Sequence, residues 1–262
     1  MIAEILCVGT EILLGDIVNT NAQYIAKQLA HLGIEVHFQT VVGDNPKRLS
    51  SALNIAMGRA DMVILTGGLG PTKDDLTKEI LAEFFAKPLV LDQKALNMLT
   101  ERLRRRLGAD FVISDSNRKQ AYLPEGALVL YNDNGTAPGC VVEGEIDGQM
   151  KRAVLLPGPP REMAPMFQQC RVRYLQNLSD RIFLSVNVRL QGISEANAGD
   201  RVAKLLDNAN PTVAPYAKED GIILRVTAAA QDEAEARKLR APVLDELRQL
   251  LGEHFKCVEE CD

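Results

Sequence analysis

Apolar and polar positions along this chain follow two regimes, and the change between them marks its organisation. Ile2–Val8 and Met62–Thr66 are short, almost continuous apolar runs, the pattern of strands covered on both faces of a parallel sheet. Residues 34–42 predict another strand. Between these runs lie stretches of helical period. Residues 21–32 place Tyr24, Ile25, Gln28, Leu29 and Leu32 on one face, and Gly33 ends the pattern. Asn45 before Pro46 is a cap followed by a first-position proline, which predicts a helix to about Arg59. Helices are expected over 74–85 and 92–107, and short strands over 129–131, 140–142 and 153–156. This order of strand, loop, helix and strand predicts a three-layer α/β fold.

After about Arg171 the apolar positions alternate strictly. Val186, Val188 and Leu190 share one face of 185–190, and Ile222, Leu224, Val226 and Ala228 share one face of 222–228. That is the signature of antiparallel strands with one wet face. Ser194 caps an expected helix to Leu206, and a helical stretch over 232–251 is expected to break at Pro242. A small α+β domain is therefore expected over 171–262.

Composition narrows the chemistry. With 30 Lys+Arg against 35 Asp+Glu, the formal charge of −5 disfavours nucleic acid or an anionic membrane as a partner held by bulk charge. No apolar run approaches the ~18 residues of a membrane span, and the opening MIAEILCVGTEI lacks a basic flank and cleavage site. Five cysteines, none in a C-x-x-C, read as reduced thiols of a cytoplasmic protein. Cys257 and Cys261 are expected in a frayed tail. The three histidines, His31, His37 and His254, are scattered, so carboxylates, backbone amides and a hard cation are the expected tools. The run Arg102, Arg104, Arg105, Arg106, with Leu99, Leu103 and Leu107 at helical spacing, reads as the solvated face of an amphipathic helix.

The turns that leave the strands are where chemistry is expected. Thr66-Gly67-Gly68-Leu69-Gly70-Pro71-Thr72-Lys73-Asp74-Asp75-Leu76-Thr77 follows an apolar strand and opens a helix. Glycines there free the backbone to turn its N–H groups toward an anion, and a helix start adds favourable potential. The run is neither a P-loop nor a dinucleotide G-x-G-x-x-G. A tight turn with Thr72 and Asp75 as a capping box is the plainer reading. The acids tilt the choice, because Asp74 and Asp75 repel a phosphate bound beside them unless a divalent cation lies between.

A second turn, Leu156-Pro157-Gly158-Pro159-Pro160-Arg161-Glu162-Met163, is either a stiff connection or a rigid ligand wall with Arg161 and Glu162 toward phosphate or metal. A third, Asn132-Asp133-Asn134-Gly135-Thr136-Ala137-Pro138-Gly139, is dense in turn residues and small donors. A fourth runs from Gly9-Thr10-Glu11 to Thr20-Asn21. Loops at the carboxyl ends of strands line the ligand crevice of an open α/β sheet, so Glu11, Asp44, Asp74 and Asp75 are expected to converge there.

Taken together, GTEILLGDIVNTN, VGDN, TGGLGPTKDDLT, SNRKQA, NGTAPG and PGPPREM resemble the competence/damage-inducible CinA family, in the family's order and over essentially the whole chain. The resemblance implies a doubly wound, molybdopterin-binding-like α/β domain over 1–170, shared with molybdopterin adenylyltransferases, then a small KH-like α+β domain over 171–262, as a homodimer. It also implies hydrolysis of ADP-ribose to AMP and ribose 5-phosphate, dependent on a divalent cation (Mg²⁺, Mn²⁺ or Co²⁺), and leaves open a monovalent cation such as K⁺. The alternatives are a pterin- or nucleotide-binding module without turnover, and an interaction subunit for a separate deamidase.

Carried onto this chain, Gly67, Gly68 and Gly70, beside Thr66, present amides to the diphosphate and Lys73 neutralises it. Asp74 or Asp75, with Asp44 or Glu11, holds the cation. Asn134, Gly135, Thr136 and the turn of Pro157, Gly158 and Arg161 shape the pocket. Asp75, Asp44 and Glu162 are the alternative bases.

Two departures matter. Many members carry a further domain that deamidates nicotinamide mononucleotide, and no such activity is expected of these 262 residues. KH modules clamp nucleic acid with a G-x-x-G loop, whereas this chain reads Gly192-Ile193-Ser194-Glu195, so the likeness there is expected to be one of fold. A Nudix box is also missing, which calls for a different scaffold for pyrophosphate cleavage.

Overall fold

The apolar runs become the centre of a six-stranded sheet. The computed structural model describes residues 1–178, 181–218 and 221–261. In chain order its first part holds β1 (Ile2–Val8), α1 (Thr10–Leu14), α2 (Thr20–His31), β2 (Glu35–Val42), α3 (Pro46–Arg59), β3 (Met62–Thr66) and α4 (Thr77–Phe84). There follow β4 (Leu89–Leu91), α5 (Gln93–Leu107), α6 (Asp115–Arg118), β5 (Tyr122–Pro124), β6 (Leu128–Leu130), β7 (Gly139–Ile146), β8 (Gln149–Leu156) and α7 (Pro160–Arg173). The sheet order is β2-β1-β3-β8-β7-β6, while β4 and β5 form a separate pair. Strands β2, β1, β3 and β8 are parallel, and β7 is antiparallel to β8 and β6.

Both faces of this sheet are covered. Leu6, Val63, Leu65 and Leu155 share one core with Leu49, Leu53 and Met57 of α3 and Leu81 of α4. Strand pleating sends Ile5, Ile64 and Val154 to the opposite face, where they too are fully buried. Helices α2 and α7 lie side by side: Tyr24 packs edge-on against Phe167 at 6.0 Å, and Gln168 Nε2 donates to Tyr24 Oη and Gln28 Oε1. The result is a doubly wound α/β arrangement.

The second part holds β9 (Ile182–Leu190), α8 (Glu195–Leu206), β10 (Thr212–Lys218), β11 (Gly221–Ala230), α9 (Glu233–Leu251) and β12 (Phe255–Glu260). Its antiparallel sheet has the order β10-β11-β9-β12. Val186, Val188, Leu190, Leu224 and Val226 form its core with Val202 and Leu247, the face that the alternation predicts. Chain packing separates this part from a first unit of Met1–Leu29 and Ile34–Leu178, and α7 runs across the boundary expected near residue 170.

Several local expectations give way. The helix expected from residue 74 starts at Thr77, because Asp74 and Asp75 are spent in a turn described below. The stretch after Gly9 holds the short α1, closed by Gly15 at φ 79°. Pro242 does not break α9: it sits on the exposed face, where water satisfies the carbonyl that its missing N–H leaves free. Cys257 lies in β12, and the Cys261 amide bonds to Ser185 O at 3.3 Å, so that tail is the last strand of the sheet. Strand β10 went unseen because Pro215 argues against a strand, and an edge strand is where proline is tolerated. Leu107 stays exposed, whereas Leu99 and Leu103 are buried. Among the described residues no helix is long and apolar enough to cross a membrane.

Phe167 is wholly buried under the sheet. Phe167→Ala is expected to lower the stability of the large unit by about 3–5 kcal/mol, read as a lower urea midpoint for its unfolding. An unchanged midpoint contradicts this packing.

Candidate functional site

The carboxyl ends of β1, β2, β3 and β8 all fall at one edge of the parallel sheet, and the turns singled out in the sequence leave from there. After β3 the chain turns so sharply that only glycine fits. Gly67 has φ 98°, its N–H donates to Leu156 O at 3.0 Å, and a Cβ there would stand 2.1 Å from Val8 O. Gly68 has φ 67°, and its Cβ would strike Thr77 Oγ1 at 2.1 Å. After β8 the Pro157-Gly158 turn packs against it, and a Cβ on Gly158 would lie in ordinary contact with Gly67 Cα at 3.5 Å.

Buried Asn21, at the start of α2, ties the two turns. Its Nδ2 donates to Gly158 O at 2.7 Å and to Thr66 Oγ1 at 3.3 Å. Within this frame the amides of Gly68, Leu69 and Gly70 donate to no acceptor among the described residues. Half-buried amides of this kind are satisfied by water or by an anion.

The next segment is organised by Asp75, not by a helix cap. Thr72 N donates to Asp75 Oδ2 at 2.9 Å, and the Thr72 hydroxyl donates to the same oxygen. Gly70 leaves room for that carboxylate, since its Cβ would lie 2.5 Å from Asp75 Oδ2. The Thr72 hydroxyl, then the residue's own amide, hold the Asp74 carboxyl below the usual range, with Lys119 adding to the effect. Lys73 is exposed.

Lys119 Nζ donates to Thr72 O at 2.6 Å and Asp75 O at 2.9 Å, fixing the turn from behind. Buried Lys78 Nζ in turn donates to Lys119 O at 2.6 Å. Burial pushes the Lys78 ammonium down to about 8.

A second pocket wall is built on the 132–136 turn. Buried Asn132 donates through Nδ2 to Ala137 O and to Glu162 Oε2, both at 2.9 Å, and its Oδ1 accepts from Asn134 N at 3.0 Å. Asn134 Nδ2 reaches Arg161 O at 3.3 Å. Gly135 sits flush against Glu162, where a Cβ would fall 1.7 Å from Oε2. Thr136 Oγ1 donates to buried Gln120 Oε1 at 2.9 Å. Asn134, Gly135, Thr136, Arg161 and Glu162 thus line one cavity of about 730 Å³. Because Lys119 and Gln120 are consecutive, one segment holds both the Asp75 turn and this wall.

The expected convergence of four acids is not what forms. Asp44 Oδ2 accepts from Thr10 N and Thr10 Oγ1, both at 2.8 Å, and Glu11 stands exposed in the first turn of α1. Among the described residues no three Asp, Glu, His or Cys side chains gather closely enough to hold a metal ion. Asp44 bonds across to Thr10 in the neighbouring turn, whereas Asp75 is pinned by Thr72 within its own. Asp74 and Asp75 remain adjacent oxygen donors. That set fits a hard divalent cation that takes its other ligands from phosphate and water, and does not fit an all-protein cage.

Sequence reasoning passed over Lys78 and the roles of Asn132 and Gln120. Lys78 and Gln120 sit in motifs whose spacing signals only a helix. Their burial as polar residues is a tertiary fact.

Comparison with known proteins places these motifs. Residues 4–177 match the family model "Probable molybdopterin binding domain", and residues 185–255 match "Damage-inducible protein CinA KH domain". A competence-damage inducible protein of Clostridium kluyveri is 53% identical over 254 residues, 96% of this chain and 60% of that protein. One of Clostridium perfringens is 50% identical over 255 residues, 97% of this chain and 60% of that protein. The chain therefore spans about 60% of the length of these curated relatives. The crystal structure of the protein CinA, of unknown function, from Thermoplasma acidophilum is similar at TM-score 0.57 and 32% identity, covering 66% of this chain and 98% of that one.

Lys78 yields a pH test. Its folded pKa of about 8 lies below the ~10.4 of an unfolded lysine, so the unfolded chain binds the extra proton between these values. Stability is then lowest at and below pH 8 and rises toward pH 10.4. Relative to Lys78→Met, the wild type is expected to gain up to about 3 kcal/mol between pH 7.5 and 10.4, measured by urea unfolding at each pH. Parallel profiles contradict the buried ammonium.

Proposed function

The chain belongs to the CinA family, with a molybdopterin-binding-like α/β domain followed by a KH-type α+β domain, and from that premise we propose that the α/β domain hydrolyses the pyrophosphate bond of ADP-ribose to AMP and ribose 5-phosphate. The observation that carries this reading is the turn after β3. Three successive amides, Gly68, Leu69 and Gly70, have no acceptor among the described residues and are followed within the same segment by two acids, Asp74 and Asp75. Amides of this kind suit a diphosphate, and the acids suit the cation that accompanies one.

In this mechanism the amides of Gly68, Leu69 and Gly70 bind the diphosphate, and the exposed Lys73 offsets its charge. Asp74 and Asp75 are the residues that would hold a divalent cation. When bound, such a cation supplies Lewis acidity at a phosphoryl oxygen. Thr72 fixes Asp75 by two hydrogen bonds to one oxygen, leaving Oδ1 for the site. A carboxylate takes a proton from water as the water oxygen bonds to phosphorus and the bridging P–O bond breaks. Glu162, held by Asn132 at 2.9 Å on the wall of the cavity, and Asp44, held by Thr10, are the candidate bases. The glycine turns exclude bulk and bring the backbone within reach of the phosphates.

One observation favours a second reading. Because no three acids gather among the described residues, the same turn suits a module that holds a pterin or nucleotide without turning it over. Incubation of the chain with ADP-ribose and Mg²⁺, Mn²⁺ or Co²⁺ separates the two. The hydrolase reading expects AMP and ribose 5-phosphate in equal amounts. Asp75→Asn is expected to lower the rate by at least 100-fold while leaving the melting temperature within about 3 °C. Near-normal turnover by Asp75→Asn overturns its assignment, and ligand-induced stabilisation without product favours the binding module.

A further inference from the structure

The basic run of α5 divides by face. Arg105 pairs with Glu101 one turn back at 2.6 Å, and Arg104 reaches Phe111 O at 3.4 Å, so these two serve the helix surface. Arg102 and Arg106, also one turn apart, share a different face. Both line the cavity of about 730 Å³ described above, and Arg161 lines it from the start of α7. Arg102 donates to Asp133 O, which draws α5 against the 132–136 turn. The side chains of Arg106 and Arg161 have neither an acid nor a carbonyl partner among the described residues. The one acid in that wall, Glu162, already accepts from Asn132 Nδ2.

Three guanidinium groups around one concavity, balanced by a single engaged carboxylate, focus positive potential into it. A guanidinium is a planar fork of donors that matches phosphate oxygens. Beside Leu103 and Gly135, the wall presents Asn134 and Thr136, short polar groups of the kind that meet sugar hydroxyls. The volume lies within the ordinary range for small-molecule sites. The cavity is also tied to the glycine turn, because Gln120 holds Thr136 while the neighbouring Lys119 holds the carbonyls of Thr72 and Asp75.

We propose that this cavity is a phosphate subsite separate from the glycine turn, built to take a sugar phosphomonoester through Arg102, Arg106 and Arg161. Resting on the hydrolase reading for the identity of the whole substrate, it assigns the released ribose 5-phosphate to this cavity and leaves the diphosphate of intact ADP-ribose, and AMP, to the glycine turn.

Calorimetric titration of the full chain at low salt with ribose 5-phosphate, ribose and AMP, wild type against Arg102→Ala/Arg106→Ala, tests the assignment. Ribose 5-phosphate is expected to bind and ribose not to. The double variant is expected to weaken ribose 5-phosphate by at least tenfold while AMP changes by less than twofold. Added salt should weaken the ribose 5-phosphate complex, since these arginines are at the surface. If the melting temperature of the double variant falls, Arg106→Ala alone carries the same comparison, because that side chain is exposed and makes no contact that the fold needs.

The proposal is overturned if the wild type does not bind ribose 5-phosphate, if the variant binds it as well as the wild type, or if AMP weakens in parallel. If ADP-ribose is not hydrolysed but ribose 5-phosphate binding still depends on the arginines, the subsite stands and the hydrolase reading falls.

Discussion

Everything at the candidate site depends on how closely two backbone turns meet at the end of the parallel sheet. Gly67 and Gly158 leave the ends of the adjacent strands β3 and β8, and a Cβ on Gly158 would already touch Gly67. Gly67 cannot carry a side chain at all, because the Val8 carbonyl of the next strand fills that space. The close packing forces Gly67 and Gly68 into left-handed conformations. It thereby leaves the amides of Gly68, Leu69 and Gly70 without an acceptor among the described residues. These amides, next to Lys73, Asp74 and Asp75, are what the proposed diphosphate site rests on.

Around this frame the polar groups form two supports that meet at residues 119 and 120. Lys119 braces the Asp75 turn and is itself held by buried Lys78, and Gln120 holds the Thr136 turn that faces Glu162. Buried Lys78 and Gln120 each bond to a partner distant in sequence, so the segment acts as a spacer that fixes one wall of the site against the other. A lysine buried against a backbone carbonyl is a costly way to do this.

Much of the fold was legible in the sequence because burial on both faces leaves continuous apolar runs. Ile2–Val8 and Met62–Thr66 emerge as strands with the residues expected. The Asn45-Pro46 start of α3 is also confirmed, with Asn45 Oδ1 accepting from Arg48 N. Elements failed to show where local pattern and tertiary role disagree. Pro215 hides an edge strand, three-residue strands such as Leu89–Leu91 carry no period, and Phe255–Glu260 alternates too weakly to stand out from a tail. At the site, the sequence located the turns but not their internal bonding. Asp75 looked like half of a helix cap, yet it folds back onto Thr72 and delays the helix to Thr77. Four acids on successive loops promised one cluster, but Asp44 is engaged by Thr10 of the neighbouring turn and Asp75 by Thr72 of its own. The arginines of α5 read as a solvated face, because only the three-dimensional approach of the 132–136 turn shows that two of them border a cavity.

The central claim is that the unpaired amides after Gly67 hold the diphosphate of a nucleotide. The most direct measurement is a titration of the ¹⁵N-labelled chain with ADP-ribose, followed by amide NMR. The account predicts that the resonances of Gly68, Leu69 and Gly70 move together and saturate with the bound fraction. Saturable binding that leaves those three amides unmoved would contradict it.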